Sequence, residues 1–196
     1  MNIGIIILAA GNSNRLGSAK QLLPYQGSSL LQRAITAAEA TGYAPIVLVL
    51  GAYAPEILAH HPDLNINLII NDSWEQGISS SISAGISKMI ALEPDTKNII
   101  ISVADQPFIQ PAVFTALVEE SQQSGKRIVA SKYAETIGTP ALFNELYFDE
   151  LLALAGNTGA KPILQRYAKD VATIPFELGH IDIDTQTDYI NLNQAQ

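Results

Sequence analysis

The sequence predicts an α/β fold, in which a mostly parallel central sheet carries helices on both faces. Short runs of apolar, β-branched residues alternate along the chain with segments of helical spacing, an order typical of strand–helix–strand units. The runs are apolar throughout, as expected of strands buried on both faces. At 196 residues, of which 47% are hydrophobic, the chain suits a single domain over residues 1–196 with a sizeable core. The predicted architecture is a three-layer sandwich.

The first half of the chain predicts three strands separated by helices. The strands are expected over residues 3–8, 46–50 and 66–70. Ser29 is placed to cap a helix that starts at Leu30 and stops before Gly42, since Ser suits the N-cap and Gly the end of a helix. Pro55 opens a shorter helix that reaches residue 61, because proline is tolerated in the first turn.

The second half continues the alternation with shorter strands. Strands are expected over residues 99–103, 128–131, 141–143 and 171–175, and helices over 79–92, 111–124, 145–155, 161–167 and 185–192. Pro111 and Gly125 mark the start and the end of the second of these helices. Because its strands are short, the stretch from about 126 to 178 is expected to form a side lobe of the same domain.

The charge balance excludes several classes of partner. Eleven Lys and Arg against 19 Asp and Glu give a net charge of −8, and the isoelectric point is about 4.7. Nucleic acids and anionic membranes are bound mainly through clustered Lys and Arg, so neither a nucleic-acid polymer nor a membrane surface is an expected partner. Since basic residues are few, their positions in the chain become informative.

The residue inventory also limits the chemistry. Cys is absent, which excludes disulfides, thiolate nucleophiles and Cys-ligated zinc. His60, His61 and His180 lack the spacing of metal ligands. The first residues show no basic segment ahead of an apolar stretch, and no apolar run approaches the ~20 residues of a membrane span. A cytoplasmic location is expected.

The strongest functional signal is a loop of small residues directly after the first predicted strand. It reads Leu8-Ala9-Ala10-Gly11-Asn12-Ser13-Asn14-Arg15-Leu16-Gly17-Ser18-Ala19-Lys20. Small residues there let backbone N–H groups approach phosphate oxygens, and Arg15 and Lys20 add cations. An ordinary glycine-rich turn is the alternative, but the preceding strand and the two cations favour phosphate binding. The spacing matches neither the dinucleotide motif G-x-G-x-x-G nor the Walker motif G-x-x-x-x-G-K-[ST].

Six segments together resemble one enzyme family. They lie at residues 8–24, 71–85, 104–108, 138–143, 156–161 and 182–189. The first, which ends Lys20-Gln21-Leu22-Leu23-Pro24, and the third, Ala104-Asp105-Gln106-Pro107-Phe108, are the most specific. In this order they resemble the MobA-like nucleotidyltransferases over nearly the whole chain, and they look closest to the molybdenum cofactor cytidylyltransferase branch.

The resemblance implies a Rossmann-like fold and a nucleotidyl transfer. A phosphate oxygen of an acceptor, molybdopterin or the molybdenum cofactor, would attack the α-phosphorus of a nucleoside triphosphate, CTP in the first instance, and pyrophosphate would leave. Such a displacement builds charge on phosphoryl oxygens, so positioning and cations should supply most of the catalysis. The implied catalytic residues are Arg15, Lys20 and Asp105, with Mg²⁺ as the cofactor.

Two segments would form the nucleotide side of the site. By the resemblance, the first loop holds the triphosphate through Leu8, Ala9, Ala10, Gly11, Ser13, Arg15, Gly17 and Lys20. The second segment is small and hydroxyl-rich at the start of a predicted helix, and contributes Gly77, Ser79, Ser81 and Gly85. One of its serines is expected to be a plain helix N-cap in any case. Trp74 is more simply a core or rim residue than a stacking platform.

Two segments supply carboxylates for the expected metal site. Asp105 ends a predicted strand, where an unpaired carboxylate is costly to bury. On chemistry alone it is equally a Mg²⁺ ligand or a cap, and the resemblance favours the ligand. The second ligand is Asp182 or Asp184, which alternation places on one face of an extended segment. The family motif favours Asp184, whose alternative role is to cap the last helix, with Asp188 in its first turn.

By the same resemblance, the lobe at about 126–178 is the acceptor-side lobe. The residues assigned to the acceptor side are Thr139, Pro140, Asn157, Lys161 and Asp182. The family commonly has His at position 139, Asp at 157 and Arg at 161, and Lys is not equivalent to Arg toward phosphate or carboxylate. The acceptor therefore stays open.

Several alternatives remain beside this interpretation. Another nucleotide such as GTP, or a sugar-phosphate acceptor, belongs to the same class of reaction. An NAD(P)-dependent oxidoreductase and a non-catalytic nucleotide-binding accessory protein belong to other classes. The acidic surface also leaves room for transient docking to a molybdoenzyme or its chaperone.

Overall fold

The computed structural model describes residues 2–194, so positions 1, 195 and 196 of the predicted domain lie outside the described residues. Its strands are β1 (Ile3–Ala9), β2 (Pro24–Tyr25), β3 (Ser28–Ser29), β4 (Ile46–Leu50), β5 (Asn67–Ile70), β6 (Asn98–Val103), β7 (Ile128–Tyr133), β8 (Thr136–Asn144) and β9 (Val171–Pro175). Its helices are α1 (Leu30–Glu39), α2 (Ala54–His60), α3 (Ile78–Leu92), α4 (Pro111–Ser124), α5 (Phe148–Leu152), α6 (Lys161–Arg166) and α7 (Gln186–Gln194). Short 3₁₀ turns lie at Lys20–Leu22, Trp74–Gln76, Glu145–Tyr147, Ala168–Asp170 and Glu177–His180.

Seven strands form one sheet in the order β5-β4-β1-β6-β8-β7-β9. The strands from β5 to β6 pair in parallel, β8 is antiparallel to β6 and to β7, and β9 is parallel to β7. Within this sheet, β8 therefore runs against the other six strands. The mostly parallel sheet that the buried apolar runs predict is confirmed.

Helices cover both faces of the sheet, with a separate apolar core on each side. β1 shows the division. Ile5 and Ile7 belong to a core completed by α1, α2 and α4, whereas Ile6 and Leu8 belong to one completed by α3, α5 and α6. This division follows from the two-residue repeat of a strand. The predicted three-layer, Rossmann-like sandwich is confirmed.

Most helix signals in the sequence also hold. The serine N-cap expected for α3 is not found, because Gly77 occupies the N-cap position and no side chain caps this helix. Ser29 Oγ accepts a hydrogen bond from the backbone N–H of Gln32 at 3.1 Å and caps α1. Pro111 begins α4, and Gly125 ends it in the left-handed conformation, with φ +69°. The hydroxyl and the glycine each serve backbone groups that a helix end leaves without partners.

Two elements differ from the predicted length by more than two residues. β8 has nine residues, because it pairs with β6 on one side and β7 on the other, and the pairing continues into polar sequence that apolar patterning does not mark. The helix expected over residues 145–155 is shorter. Asn144 Oδ1 accepts a hydrogen bond from the N–H of Leu146 at 3.3 Å and starts a 3₁₀ turn, so α5 begins only at Phe148.

A small hairpin, β2–β3, positions the end of the chain. Gln26 and Gly27 both have positive φ and form its two-residue turn. Tyr25 of this hairpin packs in a third apolar cluster with Ile183 and with α7. The packing places residues 181–184 beside the end of β6, where the N–H of Ile183 lies 3.3 Å from the Asp105 carbonyl oxygen. Two segments far apart in sequence therefore meet at one point.

The stretch from about 126 to 178 continues the central sheet beyond β6 through β8, β7 and β9. Its part in binding an acceptor stays a prediction. Among residues 2–194, no helix is long and apolar enough to cross a membrane.

Candidate active site

A cleft of about 400 Å³ lies beyond the carboxyl ends of β1 and β6. Open α/β sheets bind their ligands in this position. The loop after β1, the end of β6 and the start of α3 supply most of its lining, which comprises Leu8, Ala9, Ala10, Gly11, Asn12, Asn14, Lys20, Gln21, Trp74, Glu75, Gly77, Ile78, Ser81, Val103, Ala104, Asp105 and Asn157.

One ammonium group joins two carboxylates at this cleft. Lys20 Nζ lies 2.6 Å from Asp105 Oδ2 and 2.8 Å from Asp184 Oδ1. The side chains of Lys20 and Asp105 are only 13% and 19% exposed, and that of Asp184 is 35% exposed. The structure therefore brings together three residues that the sequence assigns to catalysis and metal binding.

Arg15 reaches the same cluster from the solvent side. Its Nη2 lies 2.5 Å from Asp184 Oδ2, and its side chain is 69% exposed. Asp184 is available for this contact because other residues cap α7. The N–H of Thr185 donates to Asp188 Oδ2 at 2.7 Å, and the N–H of Asp188 donates to Thr185 Oγ1 at 3.2 Å. This reciprocal capping box leaves the Asp184 carboxylate to the cations.

The electrostatics of the cluster follow from these contacts. The hydrogen bond from Lys20 holds the pKa of Asp184 below its usual value, against the effect of burial. Burial by itself lowers the pKa of Lys20, but Asp105 and Asp184 outweigh it, and the net pKa is raised. Burial, together with the charges of Asp105 and Asp184, raises the pKa of Asp182. The contacts therefore favour the charged forms of Lys20 and Asp184, whereas the surroundings of Asp182 favour its neutral form.

The loop after β1 is shaped by Ser13 and Gly17. Both have positive φ, +45° and +74°, and the Ser13 carbonyl accepts hydrogen bonds from Leu16 N and Gly17 N at 2.9 Å and 3.0 Å. Ser13 Oγ accepts from the N–H of Lys20 at 3.4 Å. The turn that these bonds form returns the chain to the cleft, so that Lys20 faces Asp105.

The predicted nucleotide residues fall into two groups. Those that line the cleft are Leu8, Ala9, Ala10, Gly11, Lys20, Gly77 and Ser81. The others lie outside this lining: Ser13, Arg15 and Gly17 in the loop after β1, and Ser79 and Gly85 in α3. Ser79 is fully buried, and its hydroxyl has no hydrogen-bond partner among the described residues. A Cβ at Gly85 would lie 2.6 Å from Ile6 Cγ2, so this glycine allows α3 to approach β1. Their part in nucleotide binding stays a prediction.

Gly77 is the point at which the start of α3 meets the loop between α5 and α6. Its φ is +98° and its ψ is 177°, a conformation essentially restricted to glycine. A Cβ at this position would meet Asn157 Oδ1 and would lie 2.5 Å from the Gly156 carbonyl oxygen. The N–H of Ser79 donates to that same carbonyl at 3.2 Å. This wall of the cleft can therefore form only because residue 77 is a glycine and has no side chain.

Replacing Gly77 with alanine is expected to destabilise the fold by roughly 3 kcal/mol, because backbone strain and a collision with backbone atoms add. Gly42→Ala is the matched control, since Gly42 also has positive φ, +72°, but has open space around it. That control should lose only about 1 kcal/mol. Urea denaturation measures both, and equal losses would contradict the close contact at Gly77.

A second cavity of about 270 Å³ adjoins the cleft. The two share Leu8, Ile78 and Val103. Of the predicted acceptor residues, Thr139 and Lys161 line the second cavity, whereas Asn157 lines the first. The remaining members of the lining are Ile82, Ile101, Tyr133, Thr136, Ile137, Gly138, Ala141, Phe143, Thr158, Gly159, Ala160 and Leu164.

The other two predicted acceptor residues stand outside these linings. Pro140 follows a cis peptide bond, and its carbonyl accepts a hydrogen bond from Ser131 Oγ at 2.7 Å. Asp182 is partly buried beside Asp105 and Asp184. The acceptor role of all five residues stays a prediction.

Three site residues were not singled out from the sequence. Gln21 and Gln106 each follow a charged residue of the cluster and are almost completely buried. They lie within the motifs at residues 8–24 and 104–108, but the sequence does not show that these two glutamines are buried. Tyr133 lines the second cavity at the end of β7, and no spacing in the sequence marks it. Trp74, expected at the core or rim, lines the cleft.

The donor set fits a divalent cation. Among residues 2–194, no cluster of three or more His, Asp and Glu side chains is arranged to hold a metal. Asp105 and Asp184 nevertheless direct carboxylate oxygens at one common cation, the Lys20 ammonium. Mg²⁺ is commonly held by one or two carboxylates, with water and substrate phosphates as its other ligands. Two converging carboxylates beside the loop that is predicted to bind phosphate meet that requirement.

The sequence matches the MobA-like NTP transferase domain over residues 5–171. The chain belongs to this family. The match begins in β1 and ends at the first residue of β9, so the cleft, Lys20 and Asp105 all lie within it, while Asp184 lies beyond it. The family resemblance expected from the motifs is confirmed.

Three curated relatives carry different names. The chain is 36% identical to nicotine blue oxidoreductase of Paenarthrobacter nicotinovorans over 104 residues, which are 52% of this chain and 48% of that protein. It is 26% identical to the purine catabolism protein PucB of Bacillus subtilis over 97% of this chain and 95% of the relative. It is 28% identical to the molybdenum cofactor cytidylyltransferase of Escherichia coli over 57% and 56%. The chain thus matches about half the length of the first and third.

Solved structures share the fold over the whole chain. Rv0371c of Mycobacterium tuberculosis superposes with a TM-score of 0.86 at 27% identity, covering 99% of each chain. A manganese complex of the same protein superposes with a TM-score of 0.80 at 24% identity, covering all of both chains.

Proposed function

We propose that this chain transfers CMP from CTP to the phosphate of a molybdopterin-type acceptor and releases pyrophosphate. The observation that carries the proposal is the Lys20 ammonium between the carboxylates of Asp105 and Asp184, beside a loop of small residues at the cleft. A cation and two converging carboxylates at a phosphate-binding loop are the groups that a phosphoryl displacement needs.

The reaction forms one bond and breaks one. The acceptor's phosphate oxygen bonds to the α-phosphorus, and the bond to the β-phosphate oxygen breaks, so that pyrophosphate takes the electron pair. Lys20 and Arg15 carry the positive charges nearest to Asp184. We expect them to turn toward the departing pyrophosphate, since charge-assisted hydrogen bonds to phosphate stabilise its growing negative charge.

Asp105 and Asp184 would hold a divalent cation, Mg²⁺ in the first instance. That cation supplies charge neutralisation at the transferring phosphoryl group. The related M. tuberculosis structure with manganese supports a divalent metal without identifying it as Mg²⁺. Lys20 would leave Asp105 and Asp184 when it turns toward the nucleotide, which frees the two carboxylates for the metal. The binding of the nucleotide would therefore favour the binding of the metal, and the reverse.

The choice of CTP and molybdopterin is supported by the relative named molybdenum cofactor cytidylyltransferase and by the motifs at residues 8–24 and 104–108. GTP in place of CTP, or a sugar phosphate in place of molybdopterin, is compatible with the same cluster. We also propose a cytoplasmic location and transient docking to a molybdoenzyme or its chaperone, which would receive the product.

A second candidate, an oxidoreductase, is favoured by the 36% identity to nicotine blue oxidoreductase over about half of the chain. The Lys20 cluster does not require such an activity, and the loop after β1 lacks the G-x-G-x-x-G spacing. Release of pyrophosphate, without change in a nicotinamide spectrum, distinguishes transfer from redox chemistry. It also excludes a non-catalytic binding protein.

Thermal unfolding with each of CTP, GTP, ATP and UTP, at fixed Mg²⁺, tests the proposal. A ligand at 100 times its Kd stabilises the native state by about 2.7 kcal/mol, which is roughly 5–10 °C for a chain of this size. CTP is expected to give the largest shift and to release pyrophosphate when molybdopterin is added. If no triphosphate raises the melting temperature, the proposal fails.

A further inference from the structure

Two buried glutamines follow the two most buried members of the charged cluster. Gln21 follows Lys20, Gln106 follows Asp105, and their side chains are 2% and 4% exposed. Each uses its amide nitrogen to donate two hydrogen bonds to backbone carbonyls, and each leaves its amide oxygen without a partner among the described residues. The same arrangement therefore occurs twice in one site.

Gln21 acts on the loop after β1. Its Nε2 donates to the carbonyl oxygens of Ala9 and Gly11 at 2.9 Å and 3.3 Å. The carbonyl between them, that of Ala10, accepts from the N–H of Ala52 at 3.2 Å. Three successive carbonyls of a loop that lines the cleft are therefore bound to donors of the protein. Free carbonyl oxygens would repel a polyanion that approaches this loop. Because these three carbonyls are bound to donors, that repulsion is reduced.

Gln106 acts on the other side of the cluster. Its Nε2 donates to the carbonyl oxygens of Thr139 and Gly179 at 3.1 Å and 2.8 Å. Tyr133 packs against Gly179, where an added Cβ would lie 2.7 Å from the ring, and against Gly138. Tyr133, Gly138 and Thr139 all line the second cavity. Gln106 thus fixes the backbone that forms one side of that cavity.

The unpaired oxygens argue against a purely stabilising role. A buried acceptor without a partner destabilises a fold, whereas an apolar side chain of similar shape would avoid that loss. What the two amides contribute is their N–H groups, because each amide nitrogen holds a pair of backbone carbonyls in place at the site.

We propose that the two glutamines are positioning residues that act separately, Gln21 on the triphosphate loop and Gln106 on the acceptor cavity. The inference rests on the proposed function and extends it. Each half of the site then has its own clamp, by which we mean a glutamine side chain and the two backbone carbonyls that it binds. One clamp residue directly follows Lys20 in the sequence, and the other directly follows Asp105.

The test compares Gln21→Met and Gln106→Met, which remove the donors and the unpaired oxygen while keeping a similar volume. Amide hydrogen exchange is expected to rise at residues 10–17 alone in the first variant, and at residues 136–139 and 177–181 alone in the second. This readout does not depend on any acceptor. Gln32→Met, in the partly exposed face of α1 away from the cleft, is the control and should change neither region.

Steady-state kinetics with CTP, Mg²⁺ and molybdopterin give the second readout. Gln21→Met is expected to raise the KM for CTP about tenfold with little change in the KM for molybdopterin, and Gln106→Met to do the reverse. A purely structural role would lower the melting temperature and raise both KM values together, and that result, or two unchanged KM values, would overturn the inference. The same holds if exchange rises across the whole chain in both variants.

Failure of the proposed function is separable from failure of the clamps. If the wild-type protein does not transfer CMP to molybdopterin, that function fails, while localised exchange and the affinity for CTP still decide on the clamps. Gln21→Leu and Gln106→Leu repeat the test with a second uncharged side chain that lacks the donors, so a methionine variant that does not fold leaves the inference open to refutation.

Discussion

Replacing Asp105 with alanine is expected to lower the rate of nucleotidyl transfer about a thousandfold or more, equal to ~4 kcal/mol of transition-state stabilisation. Asp105 is one of two carboxylates that meet at Lys20, so its loss removes half of the proposed protein contribution to the metal site. The fold is expected to survive, because the Asp105 backbone still accepts from Ile183 and the Gln106 clamp remains. Pyrophosphate release measures the rate, and circular dichroism measures the fold.

The matched control is Glu145→Gln. Glu145 also forms an ion pair with a lysine, Lys97, at 2.8 Å, but both side chains are about half exposed and lie outside the lining of the cleft. This variant should keep the wild-type rate and most of its stability, since exposed ion pairs contribute little. Metal-dependent turnover at the wild-type rate in Asp105→Ala would refute the assignment of Asp105.

Local signals predict most of the fold. The apolar runs of β1 and β4 and the proline and glycine at the ends of α4 specify buried strands and helix limits within a residue or two. The β2–β3 hairpin escapes such patterning, because two-residue strands show no period. The length of β8 escapes as well, since it depends on partners on both sides rather than on its own sequence.

The site is predictable where its chemistry lies in one segment. Lys20 and the loop before it are recognisable from the sequence, but the pairing of Lys20 with Asp184 spans 164 positions and depends on how α7 packs against the β2–β3 hairpin. Whether Asp184 caps α7 can be answered from the local sequence. Thr185 and Asp188 stand at the spacing of a capping box, which leaves Asp184 for other contacts.

The positioning residues show the limit of such reasoning. Gln21 and Gln106 act through backbone carbonyls, and a sequence does not show which carbonyls lie within reach of a side chain. Their roles follow from tertiary distances of 2.8–3.3 Å, not from any pattern of residue types.

Replacing Lys20 with alanine is expected to weaken CTP binding about 10- to 100-fold, because charge-assisted hydrogen bonds to phosphate are among the stronger polar contacts. CMP binding should weaken much less, since Lys20 is assigned to the phosphates that leave. Titration calorimetry with both nucleotides measures the difference. Lys97→Ala, which removes a surface lysine from an ion pair, is the control, and equal losses for CTP and CMP would place Lys20 elsewhere.

The same substitution should also change how the stability of the protein depends on pH. Without the ammonium, the Asp105 and Asp184 carboxylates face each other and the nearby Asp182, so the variant is expected to be less stable than the wild type by about 1–3 kcal/mol near neutral pH. Lys20 holds the pKa of Asp184 below the ordinary 3.8, and a lowered pKa contributes stability above 3.8 that is lost as the pH falls. The stability difference between the two proteins should therefore shrink below about pH 4. A difference that stays constant into acid would show that the Lys20 ion pairs do not hold the cluster together.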